Sequence, residues 1–179
     1  VGARMREYVE HVGAPIKHNT YEAAQQAELV TLRLRQRLCA LFGFADPSHV
    51  ILTPGNTWGL NMLLLGALRR GDHVLVSAME HNAVMRPLTQ LAKHGVVFDR
   101  IPCDAEGRLQ ADRIETMLRL NTRLVLLAHA SNVSGTVQDA AAVGEICAAR
   151  GIAFALDAAQ TAGHIPLDFT ALHLSALSV

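Results

Sequence analysis

At 179 residues the chain is long enough for one domain with a sizeable core, and its 50% apolar and 18% charged composition excludes intrinsic disorder and collagen-like repeats. Sixteen basic and sixteen acidic residues cancel, so nucleic-acid binding and polybasic membrane binding, which need a charge excess on one face, are not expected. The cations are lopsided, with Lys17 and Lys93 the only lysines beside 14 arginines. Cys39, Cys103 and Cys147 are far apart, odd in number and without a CxxC pair. No disulfide framework or metal site is expected from them, and a reducing, cytoplasmic setting fits. The apolar run around Leu63–Leu65 is far short of the roughly 20 residues of a membrane span. Arg4, Arg6, Glu7 and Glu10 interrupt any leader-like stretch. The chain opens on Val1 and closes on the strand-like alternation of Leu174–Val179, so both ends read as cut.

In chain order, residues 1 to about 18 read as the end of a helix and a loop broken by Gly13 and Pro15. Asn19 with Glu22 three residues on forms a capping-box pattern. A long amphipathic helix is predicted over Ala23–Phe42, with Ala27, Leu34, Leu38 and Leu41 on one face, Arg33, Arg35 and Arg37 on or beside the other, and Gly43 as its stop. A strand over His49–Thr53 and a helix over Thr57–Arg70 come after it. Next are the strand His73–Ser77, a helix over Ala83–His94 and the strand Val96–Ile101. The last elements are a helix over Gln110–Arg119, the apolar strand Arg123–Ala128, a helix over Gln138–Arg150 and the buried strand Ile152–Leu156. Strands alternating with helices imply an α/β fold: a three-layer αβα architecture around a mostly parallel central sheet.

In such sheets ligands bind outside the carboxyl ends of the strands, and small polar residues collect there. Gly55-Asn56-Thr57 opens a helix, where free N–H groups and the helix dipole suit an anion. An ordinary turn and cap reads equally well from those residues alone. His81 could stack on a ring, act as an acid–base group, or simply bond backbone. Asp157 closes an apolar strand, so its carboxylate needs a donor or cationic partner; capping the next turn of chain is the plainer role. Asn132 could cap or turn before Gly135. Together, a phosphate cradle, a ring over a planar cofactor and a carboxylate facing a ring nitrogen match the needs of pyridoxal 5'-phosphate.

Four segments carry a resemblance: Thr53–Asn61 (TPGNTWGLN), Met79–Ala83 (MEHNA), Ser131–Thr136 (SNVSGT) and Leu156–Gln160 (LDAAQ). In this order and spacing the chain resembles the class V aminotransferase family of pyridoxal-phosphate enzymes, in its cysteine desulfurase and selenocysteine lyase branch. The resemblance implies that Asn56 and Thr57 hold the phosphate, His81 stacks on the ring, Asp157 pairs with the ring nitrogen, and Gln160 and Asn132 approach the ring hydroxyl and the substrate side. Many members carry Thr where Asn56 stands, so the likeness there extends to backbone contacts. It also implies a reaction: sulfur is removed from L-cysteine, leaving L-alanine and an enzyme persulfide. Selenocysteine as substrate, a sulfur-acceptor protein and a homodimeric full-length form are implied in the same way.

The same resemblance puts the cofactor-bonding lysine in a Ser-x-His-Lys-like motif just after the segment matching His164–Val179. The persulfide cysteine and the carboxylate-binding arginine are expected further on. Neither Lys17 nor Lys93 stands where that lysine is needed. Residues 1–20 are therefore expected to be an incomplete N-terminal segment and 21–179 part of the cofactor-binding large domain, inactive on its own. Three rivals remain open from the sequence. One is another class V activity, such as an aminotransferase. A second is a non-catalytic cofactor-binding fragment. The third is an α/β-hydrolase-like protein with Thr57 in a nucleophile elbow and Asp157 with His164 or His173 behind it.

Overall fold

Five short strands form one sheet in the order β2-β1-β3-β4-β5, every neighbouring pair parallel. The computed structural model describes residues 1–16 and 21–179. The strands are β1 (His73–Ser77), β2 (Val97–Ile101), β3 (Thr122–Ala128), β4 (Ala153–Asp157) and β5 (Ala176–Ser178). The helices are α1 (Gly2–His11), α2 (Glu22–Phe42), α3 (Asn56–Ala67), α4 (Asn82–Ala92), the single turn α5 (Ile114–Met117) and α6 (Ala140–Arg150). The chain divides into two compact units, Val1–Val50 and Ile51–Val179.

In the second unit the side-chain alternation of the strands feeds two helical layers. Val74 and Val76 of β1, Leu124 and Leu126 of β3 and Ala155 of β4 pack with Leu60 and Leu64 of α3 and Val84 and Leu88 of α4 into one buried core. On the other side α6 lies against β4, and α5 against β2 and α6. β3 is central and buried from Leu124 to Ala128, as expected of a strand covered on both faces. Gly144 lets α6 come close to its neighbour: a Cβ there would lie 2.3 Å from the Leu172 carbonyl oxygen.

Several expectations need correction. Residues 49–53 form no strand. Asp46 accepts a bond from the Ser48 N–H at 2.8 Å and sets a 3-10 turn over Pro47–His49. Ile51 and Leu52 then lie exposed, without the burial that would make a strand of them. α3 stops at Ala67 rather than Arg70, because Asp72 accepts from the Arg69 N–H and the Arg69 guanidinium bonds the Gly66 and Leu68 carbonyls. The helix expected over 110–119 reduces to a 3-10 turn, Ala111–Arg113, and then α5. Ile114 is its one buried side chain, so there is too little apolar face for a longer helix.

In the first unit, α2 ends at Gly43, whose φ of 64° is the left-handed conformation that glycine adopts freely. Its buried line runs through Ala24, Ala27, Cys39 and Phe42, whereas Leu34 and Leu41 are exposed. Lys17 and the Asn19 cap lie outside the described residues.

Candidate functional site

The carboxyl ends of β1, β3 and β4 and the first turn of α3 open on one cavity of about 170 Å³. The strand order reverses at β1, the switch point at which open parallel sheets bind ligands. Asn56, Thr57, His81, Asn132, Asp157 and Gln160 all line this cavity, so the residues chosen from sequence come together. Met79, Ala128, Ala130 and Ser131 are walls that the sequence reading did not single out.

The α3 rim is built by a bare helix start. Gly55 occupies the cap position, no side chain caps the helix, and the Trp58 and Gly59 N–H groups turn back to the Gly55 carbonyl. The N–H groups of Asn56 and Thr57 are thereby left as open donors. A Cβ at Gly55 would meet nothing within 4 Å, so the approach to those donors is unobstructed. The strand expected ahead of this turn is absent, and the cradle is carried by the helix alone.

Asp157 ends β4 and is 6% exposed. Its Oδ1 accepts from Asn56 Nδ2 at 2.7 Å and from the Ala159 N–H at 3.1 Å. Asn56 Oδ1 in turn accepts from the Ser178 hydroxyl. One side chain therefore ties α3 to β4 and β5, and the Asn56 amide is spent on the protein. Gly59 makes this closeness feasible, since a Cβ there would lie 2.9 Å from Ser178 Oγ. The plainer reading of Asp157 is also fulfilled, because the bond to Ala159 caps the turn after β4.

His81 precedes α4, and its Nδ1 accepts from the Ala83 N–H at 3.1 Å. In the neutral ring this fixes the proton on Nε2. The backbone-bonding role is thus real, and it orients a ring that also faces the cavity. Asn132 is exposed at the tip of a turn that Ser131 builds instead: Ser131 Oγ accepts from the Val133 and Ser134 N–H groups at 3.2 Å. Behind the site, buried His129 bonds Thr161 Oγ1 through Nδ1 at 2.8 Å. Burial holds its pKa below the usual histidine value.

Glu80 is the ionisable residue that the sequence reading left without a role. Its Oε1 accepts from the Ser77 hydroxyl at 2.5 Å and the Ala128 N–H at 2.8 Å. Burial pushes its pKa up to about 7. The available signal was its position, an acid three residues after a buried strand.

Among the described residues, no lysine, arginine or cysteine lines the cavity. Lys93 stands just beyond the C-terminal end of α4. Cys39 and Cys147 are buried in helices, and burial pushes the Cys147 thiol up to about 12. Cys103, half-buried after β2, is also held above the usual thiol range, first by burial. The hydrolase alternative is overturned. A nucleophile elbow needs a strand ahead of a strained turn, but Thr57 sits inside α3 and His173 is the only non-glycine residue at positive φ among the described residues.

These features meet in a known family. The class V aminotransferase model matches residues 1–178, and the chain belongs to that family of pyridoxal-phosphate enzymes, with the fold type I architecture. Cysteine desulfurase IscS of Vibrio atlanticus is 35% identical over 158 residues, covering 86% of this chain and 39% of that protein. IscS of Photorhabdus laumondii is 34% identical over 157 residues with the same coverage. The apo cysteine desulfurase of Thermococcus onnurineus superposes with a TM-score of 0.90 at 28% identity, over 98% of this chain and 44% of that one. A structure of SspA in complex with cysteine gives 0.90 at 25% identity, over 98% and 52%. The chain thus spans about two fifths of the length of the curated relatives it matches.

Proposed function

We propose that residues 21–179 are part of the cofactor-binding large domain of a cysteine desulfurase-like enzyme, residues 1–20 being an incomplete N-terminal segment. The observation that carries this reading is Asp157: a buried carboxylate at a strand end, held on Oδ1 by Asn56 and Ala159. Both bonds fall on one oxygen, so Oδ2 remains as the acceptor for a ring N–H. The other residues suit pyridoxal 5'-phosphate as a set. The open N–H groups of Asn56 and Thr57 and the Thr57 hydroxyl match a phosphate at a helix N-terminus. His81 covers the ring, its backbone cap holding the imidazole in place and leaving Nε2–H to donate. Asn132 and Gln160 reach toward the ring hydroxyl and the substrate side. When bound, the cofactor supplies an electron sink, which a paired ring nitrogen strengthens.

The substrate class is L-cysteine or L-selenocysteine. The overall conversion is L-cysteine to L-alanine, with sulfur carried off on an enzyme cysteine and then to an acceptor protein. The setting is cytoplasmic and the full-length form a homodimer. Among the described residues no helix is long and apolar enough to cross a membrane, and the cysteines are unpaired. Among those residues the cavity has no lysine to bond the cofactor, no thiolate to take sulfur and no arginine to hold a substrate carboxylate. This chain therefore binds the cofactor without turning substrate over.

Equilibrium titration with pyridoxal phosphate, then borohydride treatment and peptide mass analysis, tests this. Saturable binding is expected, with no cofactor fixed to Lys17 or Lys93. Absence of saturable binding would overturn the cradle. A borohydride-fixed cofactor on either lysine, accompanied by alanine production, would overturn the inactivity.

A further inference from the structure

The roles proposed for the cavity residues leave the buried carboxyl of Glu80 unused. β1 ends at Ser77, while β3 runs on to Ala128; in their register Val76 pairs with Leu126. The chain after Ser77 turns away, and the Ala128 N–H finds no β1 carbonyl opposite it. Glu80 Oε1 takes that N–H at 2.8 Å. The same oxygen accepts from the Ser77 hydroxyl at 2.5 Å, and Ser77 Oγ accepts from the Met79 N–H at 3.2 Å. A side-chain carboxyl thus stands in for one further residue of β1. Its second oxygen, Oε2, is shut off from solvent and has no hydrogen-bond partner among the described residues.

The two sides of this contact lead straight to the cavity. Ala128 pairs with Asp157 in the β3–β4 register, and the His129 N–H bonds the Asp157 carbonyl at 2.8 Å. Glu80 is the immediate neighbour of His81. We propose that Glu80 is a positioning residue of this site: its carboxyl locks the Ala128 end of β3 to the loop carrying His81, and so sets the spacing between His81 and Asp157. The consequence for the cofactor rests on the reading given under Proposed function; the lock itself does not.

The lock is closed by a neutral acid. Burial lifts Glu80 to about 7 and the nearby Asp157 charge adds to the rise, against the bonds from Ser77 and Ala128. A buried group with an unpartnered oxygen costs far less neutral than charged. The ionisable groups facing it are Asp157 of β4 and Cys103 beyond β2, with which Glu80 also interacts. Neither is a cation that would stabilise an ionised Glu80. While Glu80 is neutral, Asp157 is the single anion offered to a ring N–H. Once ionised, Glu80 adds a second negative charge beside a site built for a phosphate.

The test uses the 179-residue chain, with Glu80→Gln as mimic of the neutral acid and Glu80→Ala as removal. In the cofactor-free chain, carboxyl ¹³C NMR is expected to show Glu80 titrating near pH 7, with the Ala128 amide shifting at the same midpoint. Glu80→Gln keeps the Ala128 N–H protected from exchange, and Glu80→Ala loses that protection by about tenfold or more. With pyridoxal phosphate, affinity falls above pH 7 in the unmodified chain and holds in Glu80→Gln. A Glu80 midpoint below pH 5, or Ala128 protection unchanged by Glu80→Ala, would overturn the lock. Should Glu80→Ala not fold, the titration and the Glu80→Gln pH profile decide. Failure of every form to bind cofactor, with the NMR behaviour as expected, sinks the cradle reading and supports the lock.

Discussion

At the amino edge of the sheet, His73 opens β1 and is fully buried. Its Nδ1 meets Thr122 Oγ1 at 2.8 Å and its Nε2 meets Asp99 Oδ2 at 3.2 Å. Asp99 is held further by Arg119, and Thr122 Oγ1 accepts from the Arg119 N–H. Each of these groups has its partner within the protein. At the carboxyl edge the same kinds of side chain are gathered but left open: Asp157 is bonded on one oxygen, Glu80 Oε2 has no partner among the described residues, and His81 keeps Nε2 free of its cap. A closed polar network fastens strands together, whereas an open one in a cavity is shaped for something that arrives later. The difference between the edges separates stability from binding more clearly than either network does alone.

Substitutions at the two edges should therefore fail in different ways. The largest effect is expected from His73→Ala, which strands the buried partners of a 0% exposed side chain. It should lower unfolding free energy by about 3 kcal/mol and leave cofactor affinity of the folded protein unchanged, as read by denaturant melts and titration. Asp157→Ala should do the reverse. Loss of a charge-assisted bond worth about 1.5–3 kcal/mol weakens pyridoxal phosphate binding roughly 10- to 150-fold, with a smaller change in the melt. Asn56→Ala removes the brace on Asp157 but not the backbone donors, so a loss of about 1 kcal/mol in binding is expected.

The pH dependence sharpens the comparison, because the edges carry opposite signs. Glu80 is raised from 4.5 to about 7 on folding, so the native state holds the extra proton and stability falls as pH rises through that window. Burial lowers His73 and His129 from 6.5, so the unfolded state holds the extra proton and stability falls as pH drops below 6.5. Glu80→Gln should remove the first slope and leave the second, and His73→Gln should weaken the second and leave the first. Melts between pH 4.5 and 7.5 check both.

Much of this arrangement was legible from the sequence. The buried strands announced themselves by unbroken apolar runs, His73–Ser77 to the residue, and the polar residues at their ends could be placed from the parallel topology. The site was legible as a set because each of its members comes after a strand or opens a helix. What escaped was set by tertiary context. Ile51 and Leu52 look like strand residues but have no neighbouring strand to pair with. The link from Asn56 to Asp157 and Ser178 spans 101 and 122 residues, and local patterning carries no trace of such a bond. Glu80 was hidden for the same reason: its partner Ala128 lies 48 residues away, and its significance depends on β1 ending sooner than β3. The apolar face of α2 was misjudged because Leu34 and Leu41 have the right spacing and yet lie exposed.

The claim that the carboxyl edge is a cofactor cradle is tested most directly by mapping amide shifts during titration with pyridoxal phosphate. Saturable shifts are expected at Asn56, Thr57, His81 and Ala159, with His73, Asp99 and Thr122 unmoved, and Asp157→Ala should abolish the pattern at the same cofactor concentration. Shifts clustered away from these residues, or a pattern indifferent to Asp157→Ala, would contradict it.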